Sequence, residues 1–560
     1  MNRESVVESK KSDIWNLDLN YSGENNYTSF FSSTGNIHSY PAKAVPDMVH
    51  SLLLNLKEHY NVSTVLDPFV GSGTVALESK VLGLDFFGSD LNPLAVMLSK
   101  VKVLLIENTG YIEQQINILL EDLSSLQLNK NTPFIIEKFE NIEFWFKREN
   151  IRELSFIKDK INQFLKKRTK KYKGTFALIL LIAFSSTIRT VSLTRNGEFK
   201  LYRISPSDLE KFKVDAVEVF KEKMKNLLEL LEKANKQYKE QTISEIHLAN
   251  AKDLFYLKDK RVDLVLTSPP YGDSKSTVAY GQYSKLSLQW MKDLMEVHLG
   301  IKVYSDNCDE HLLGGKKSDF TFDDERILSS QTMRNLIEEM NIITNKRKKK
   351  ITETLDSLNL MIENNNRYSY IIEALNNEEL KILITERVRL DIYRKIKNSA
   401  KHLSDKKIKQ IAKYETSRFI LDLLDNRHKV RYRRTQQLNN KLPYVKETII
   451  RKMKSQPKRI VEVINFFKDL YKVVIETDSI LLLGGLQAWI VGHRTVLGEI
   501  NVNMAQILND WFKDLNYKQI TSLQRQYSFK RMPHHINSTA TRNSEIKTMM
   551  QEHILVVQKQ

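Results

Sequence analysis

Thr64-Val65-Leu66 reads as a short buried strand that runs directly into Asp67-Pro68-Phe69-Val70-Gly71-Ser72-Gly73-Thr74 and then into the helical run Thr74-Val75-Ala76-Leu77-Glu78. A strand that turns through glycines into a helix commits the chain to a β-α-β unit, since the helix must cover the sheet and return to a parallel neighbour. The neighbour is Asp85-Phe86-Phe87-Gly88. Glycines allow close approach of backbone to a ligand, and the helix N-terminus favours negative charge. Asp90 stands at the end of the second strand, 17 residues past Gly73. A carboxylate there accepts both hydroxyls of a ribose. The pairing points to a nucleoside-bearing cofactor. A dinucleotide is disfavoured, because the glycines do not follow Gly-x-Gly-x-x-Gly and an Asp-Pro precedes them.

A second motif is Asp263-Leu264-Val265-Leu266-Thr267-Ser268-Pro269-Pro270-Tyr271. The apolar run is a buried strand. Two successive prolines fix φ and supply no N–H, so pairing stops and the carbonyls are left to face a ligand. Tyr271 offers an aromatic face to a planar base. A plain strand-ending turn produces Pro-Pro occasionally, but not with Ser before it and Tyr after it.

Further strands are expected at Glu245 to Leu248, Val262 to Thr267, Leu486 to Val491 and Ile554 to Val557. Residues 100 to 242 and 320 to 470 read as mostly helical, the first ending in the heptad-like Phe220 to Tyr238. Gly484-Gly485 reads as a turn before a strand and Gly314-Gly315 as a loop. The greasy stretch Phe176 to Phe184 is about half the ~20 residues that cross a bilayer and reads as a buried helix. The polar start, Met1-Asn2-Arg3-Glu4, does not read as a signal peptide. One cysteine, Cys308, excludes an intramolecular disulfide and any cysteine-based zinc site. His534-His535 lacks a third ligand at suitable spacing, so no metal site is expected.

The net charge of +18 is localised. Residues 391 to 460 hold 21 basic and 6 acidic side chains, or +15. A local excess makes a positive face that attracts polyanions. A solvated helical surface is the plainer reading of a charge run. The order Arg427-His428-Lys429-Val430-Arg431-Tyr432-Arg433-Arg434, with a tyrosine between cations, favours nucleic acid.

Asp67 to Thr74 together with Thr267 to Tyr271 resembles the amino-group DNA methyltransferases of restriction–modification systems. Phe30-Phe31 through His38-Ser39-Tyr40-Pro41-Ala42-Lys43 is similar to the segment that closes over the methionine end of their cofactor. Gly492-His493-Arg494-Thr495-Val496, Phe529-Lys530-Arg531-Met532-Pro533 and Glu552 to Lys559 are similar to their C-terminal sheet motifs. The resemblance implies an α/β fold of the S-adenosylmethionine-dependent methyltransferase (Rossmann-like) type, with a mostly parallel seven-stranded sheet and large helical insertions. The catalytic domain is expected in three pieces: residues 1–100, which bind the cofactor, residues 243–315, which carry Ser-Pro-Pro-Tyr, and residues 475–560. Between them lie a helical insertion, residues 101–242, and a basic helical insertion, residues 316–474, for target recognition. Residues 100 to 242 are a second candidate for target recognition.

On that resemblance the cofactor is S-adenosyl-L-methionine, held by Phe30, Tyr40, Asp67, Phe69, Gly71, Gly73, Thr74, Asp90 and Asn250. Many members carry an acid where Asn250 stands; its side-chain oxygen can still accept from an adenine amino group. The catalytic set is Ser268, Pro269, Pro270 and Tyr271, acting on a base drawn out of duplex DNA. Arg427, Lys429, Arg431, Arg433 and Arg434 are the expected phosphate contacts. A Ser before Pro-Pro-Tyr goes mostly with N4 of cytosine; N6 of adenine is the alternative, and a non-catalytic DNA-binding protein on the same fold is the rival from another class. Methylation at cytosine C5 needs a thiol nucleophile, and Cys308 sits in an acidic context without Pro-Cys. The implied setting is a prokaryotic cytoplasm at the nucleoid, with double-stranded DNA as partner, no membrane, and a cognate restriction endonuclease against which host DNA is protected.

Overall fold

The computed structural model describes residues 14–17, 19, 37–41, 44–125, 135–195, 200–238, 241–272, 279–305, 308–315, 325–364, 367–400, 402–425, 427–526, 535–537, 545–547 and 551–560. By contacts the chain forms two compact units, one of Met1–Arg334 with Val463–Gln560, the other of Asn335–Glu462.

The first unit is built on a seven-stranded sheet. Its strands are β1 (Thr64–Asp67), β2 (Asp85–Asp90), β3 (Ser244–Leu248), β4 (Val262–Thr267), β5 (Leu481–Gly492), β6 (Tyr517–Gln526) and β7 (Gln551–Lys559), in the order β3-β2-β1-β4-β5-β7-β6. The pairs β2/β3, β1/β2, β1/β4 and β4/β5 are parallel, whereas β7 is antiparallel to both β5 and β6. The central β4 is buried on both faces except at Asp263, which explains its nearly unbroken apolar run. Strand β6 was not expected from sequence. Its residues, Tyr-Lys-Gln-Ile-Thr-Ser-Leu-Gln-Arg-Gln, are too polar to stand out. They suit an edge strand, which pairs on one side only. Gly484 and Gly485, expected as a turn before a strand, lie inside β5. Gly484 has φ of 76° and the β4/β5 register shifts nearby, so the glycines make an irregularity in the ladder.

Helices α1 (Pro46–Tyr60), α2 (Thr74–Leu82), α3 (Pro93–Lys102), α4 (Lys170–Val191), α5 (Ala216–Asn235) and α6 (Tyr280–Leu299) belong to this unit. Helix α4 is buried all round from Phe176 to Arg189, and it packs with α5, α6 and the sheet residues in one apolar core. It is long and apolar enough to span a membrane, the one such helix among the described residues. The greasy stretch is therefore a section of a longer helix than its composition indicated. Segment 101–242 shares this core, so it is not a separate body.

Among the described residues, the regular elements of the second unit are all helices. Ile351, Leu358, Ile371, Leu380, Ile384, Val388, Leu423 and Val445 are among the residues that form its own core. It is shorter at both ends than the basic insertion expected at 316–474. The physical reason lies in the first unit: the Phe467 ring packs edge-on to Trp511, 6.2 Å between centroids, and Asp469 pairs with Lys252 at 2.8 Å. Those contacts hold residues after 462 to the sheet unit.

Candidate active site

Because β1 and β4 are adjacent and parallel, with Val65 opposite Leu264 and Leu66 opposite Val265, both motifs emerge at the carboxyl edge of the sheet. The Thr267 hydroxyl donates to Asp67 Oδ1 at 2.6 Å, and the Phe69 N–H donates to the same oxygen at 3.0 Å. Asp67 is buried, and that burial pushes its carboxyl up to about 7 despite the two donors. The loop then rises through Gly71 and Gly73, both with positive φ. At Gly73, φ is 78° and an added Cβ would lie 2.8 Å from Ser99 Cα on α3. A side chain there would push apart the loop and the helix behind it.

Asp90 closes the other side. Its Oδ2 accepts from the Gly71 N–H at 2.9 Å and its Oδ1 from the Asn92 N–H at 2.8 Å. Burial pushes this carboxyl up to about 6, while the backbone donors pull it back. Asn92 caps α3, accepting from the Leu94 N–H, and its Nδ2 donates to Tyr40 Oη at 3.1 Å and Ser284 Oγ at 2.6 Å. His38 reaches Ser185 Oγ at 2.8 Å, which pins the segment carrying Tyr40 against α4.

These elements border a cleft that is open to solvent. Of the residues expected to hold the cofactor, Tyr40, Phe69, Gly71, Asp90 and Asn250 line it; of the expected catalytic set, Ser268 and Pro270 do. Asp67, Gly73 and Thr74 are not lining residues: Asp67 ties the two motifs together and Gly73 and Thr74 sit where the loop meets α2. Phe30 lies outside the described residues, as do Phe529 to His534. Pro269 is buried, and the Tyr271 hydroxyl lies 3.4 Å from Ser268 Oγ and donates to Glu552 Oε1 at 3.0 Å. Asn92, Tyr280, Leu312 and Leu313 also line the cleft and were missed. The Asn-Pro pair at the start of α3 is a helix-start signal that could have drawn attention to Asn92. Nothing local marks the two leucines.

The lining fits an S-adenosyl group. Asp90 offers two carboxylate oxygens, each with a further lone pair, to a ribose diol. Asn250 offers an amide, Tyr40 and Phe69 offer rings, and Gly71 leaves room for close approach. Cys308 is buried and its thiol is pushed up by that burial, so it does not supply a thiolate near neutral pH.

In the helical unit, the basic run falls on helix α7 (His428–Asn439) and its N-terminal flank. Arg427 pairs with Asp425 at 2.5 Å and Arg434 with Asp422 at 2.8 Å, while the Arg431 guanidinium lies 4.3 Å from the Tyr368 ring centroid. Three of the five expected phosphate contacts are therefore engaged within their own unit. Lys429, Tyr432 and Arg433 are exposed.

A family model, D12 class N6 adenine-specific DNA methyltransferase, matches residues 47–351, more than half of the chain. Type II methyltransferase M.MvaI of Kocuria varians is 31% identical over 557 residues, covering 97% of this chain and 95% of its own. The chain belongs to the amino-group DNA methyltransferases of restriction–modification type. Its methyl donor is S-adenosylmethionine and its substrate is DNA. Two further members are similar over shorter stretches: Type II methyltransferase M.MjaII of Methanocaldococcus jannaschii, 28% identical over 24% of this chain and 21% of its own, and Type II methyltransferase M.BsoBI of Geobacillus stearothermophilus, 25% identical over 39% and 46%. No solved structure matches the chain.

Proposed function

We propose that this methyltransferase acts on N6 of adenine in duplex DNA, a reading supported by the adenine-specific class of the matching family model. The observation that carries the site assignment is the shared cleft, where Ser268 and Pro270 face the wall formed by Asp90, Gly71 and Tyr40. The lone pair of a base's amino group is delocalised into the ring, so the nitrogen is a weak nucleophile. Ser268 Oγ and the Pro269 carbonyl accept from its N–H groups and localise charge on nitrogen. Tyr271 stacks on the extruded base. The bound donor supplies an electrophilic methyl on a sulfonium, and positioning then supplies most of the rate gain.

A second reading, N4 of cytosine, is favoured by one residue: Ser268 stands where members acting on adenine mostly carry Asp or Asn. The helical unit 335–462 is proposed to read the target, with Lys429, Arg433 and Tyr432 on its DNA-facing surface, and a cognate endonuclease is proposed as the system's second component.

Nucleosides released from plasmid DNA after incubation with labelled donor test this. Label in N6-methyl-2′-deoxyadenosine is expected. Label only in N4-methyl-2′-deoxycytidine replaces the first reading with the second, and an unlabelled plasmid carrying diverse sequence, with genomic DNA equally unlabelled, refutes both.

A further inference from the structure

Strand β7 runs against its neighbours, so its first residues, not its last, reach the carboxyl edge where β4 ends. This brings Glu552 to the rim, directly opposite Arg525 on β6 and Gly492 on β5 in the ladder. Glu552 is buried, with a side-chain exposure of 9% against 11% for Arg525. Arg525 Nε and a terminal nitrogen donate to Glu552 Oε2 at 2.9 and 2.7 Å. The second carboxylate oxygen, Oε1, accepts from the Tyr271 hydroxyl at 3.0 Å, and Tyr271 Oη lies 3.4 Å from Ser268 Oγ.

We infer that Glu552, held by Arg525, is a positioning residue that sets the direction of hydrogen bonding through Tyr271 and Ser268 toward the target amino group. A carboxylate accepts and does not donate, and the Arg525 guanidinium donates twice to Glu552 Oε2, leaving Oε1 to Tyr271. The Tyr271 proton is thereby committed to Glu552. Tyr271 Oη then presents only lone pairs to Ser268, whose own proton turns toward it. Ser268 Oγ is left as an acceptor toward the cleft, the polarity an incoming NH2 requires. Were the order reversed, with Tyr271 donating to Ser268 and Ser268 donating into the cleft, two donors would meet. The link also fixes the tyrosine ring in the plane the base must stack on.

The inference rests on the proposed reading of the cleft, and the two fail differently. Absence of methyl transfer by the wild-type enzyme sinks the reading; the variants below test the inference alone. The measurement is steady-state transfer of labelled methyl to plasmid DNA by Tyr271→Phe, Glu552→Gln and the double variant. Tyr271→Phe keeps the stacking ring and loses only the hydroxyl, so it reports even if Glu552→Gln does not fold. Each single variant is expected to lose about 10–100-fold in kcat, the scale of a hydrogen bond to a charged group, with KM for DNA and donor nearly unchanged. The double variant should be no slower than the slower single, since Glu552 acts through Tyr271. Wild-type kcat in Tyr271→Phe or Glu552→Gln, or losses that multiply in the double variant, would overturn it.

Discussion

The Thr267 hydroxyl donates to Asp67 Oδ1 at 2.6 Å, and both groups are buried. One residue ends β4 and the other ends β1, so a single hydrogen bond joins the turn that begins the glycine loop to the turn that begins Ser-Pro-Pro-Tyr. Asp67 was expected to touch the cofactor; its Oδ1 accepts from Thr267 of the neighbouring strand and from the Phe69 N–H.

Thr267→Val removes that donor with little change in shape. The buried Asp67 oxygen then keeps the Phe69 N–H alone, and an under-satisfied buried acceptor costs about 1–3 kcal/mol. A lower Tm and weaker donor binding by calorimetry are expected; an unchanged Tm would mean that the two strand ends are held by other contacts.

Asp67 also predicts a pH dependence. Folding raises its carboxyl from 3.8 to about 7. An acid raised by folding stabilises the native state fully below its unfolded value, and that contribution is lost as pH rises through the folded value. Asp67→Asn should therefore melt higher than wild type near pH 8, with the difference shrinking as pH falls toward about 4. A constant difference across that window would show that Asp67 does not titrate as burial demands.

Gly73→Ala places a Cβ 2.8 Å from the Ser99 backbone at a φ of 78°. Strain of that kind costs on the order of 1–3 kcal/mol. Reduced stability with donor affinity lowered at least severalfold is the expected outcome, read by thermal melts and isothermal titration.

Ser268→Ala should lower kcat by roughly 10²–10³-fold, the range for losing one preorganised polar group at a reacting centre. Plasmid binding by the same variant should stay near wild type. Wild-type transfer by Ser268→Ala would remove the serine from the chemistry.

Lys429 and Arg433 are the exposed cations of α7. Each phosphate contact contributes about 0.9 to the slope of log K against log salt. The double change Lys429→Ala with Arg433→Ala should thus flatten the slope by roughly 1.8. Arg434→Ala, which breaks the pair with Asp422, should chiefly lower the stability of the helical unit. An unaltered slope in the double variant would take this face off the DNA.

Much of the site was legible because its signals are local. Asp90 ends β2 and Ser268 directly follows β4, while Gly71 and Gly73 stand in the loop after β1 with positive φ, which favours glycine. The basic run was legible as charge, but not as free charge: the acids that engage Arg427 and Arg434 lie only 2 and 12 residues away, and pairing depends on how helices face each other. Strand β6 escaped notice because an edge strand has no need of the apolar alternation by which strands are recognised.

By itself the sequence determined the β-α-β unit, the glycine loop, the buried strand ending in Ser-Pro-Pro-Tyr and the helical character of the basic segment, since each follows from short-range backbone preference and periodicity. Only the tertiary structure decided that Asp67 serves Thr267, that Asn92 joins the cleft wall, and that Glu552 and Arg525 stand behind Tyr271. Those partners are as much as 281 residues apart in the chain. Strand order and the reversal of β7 bring them together, and no local pattern carries that information.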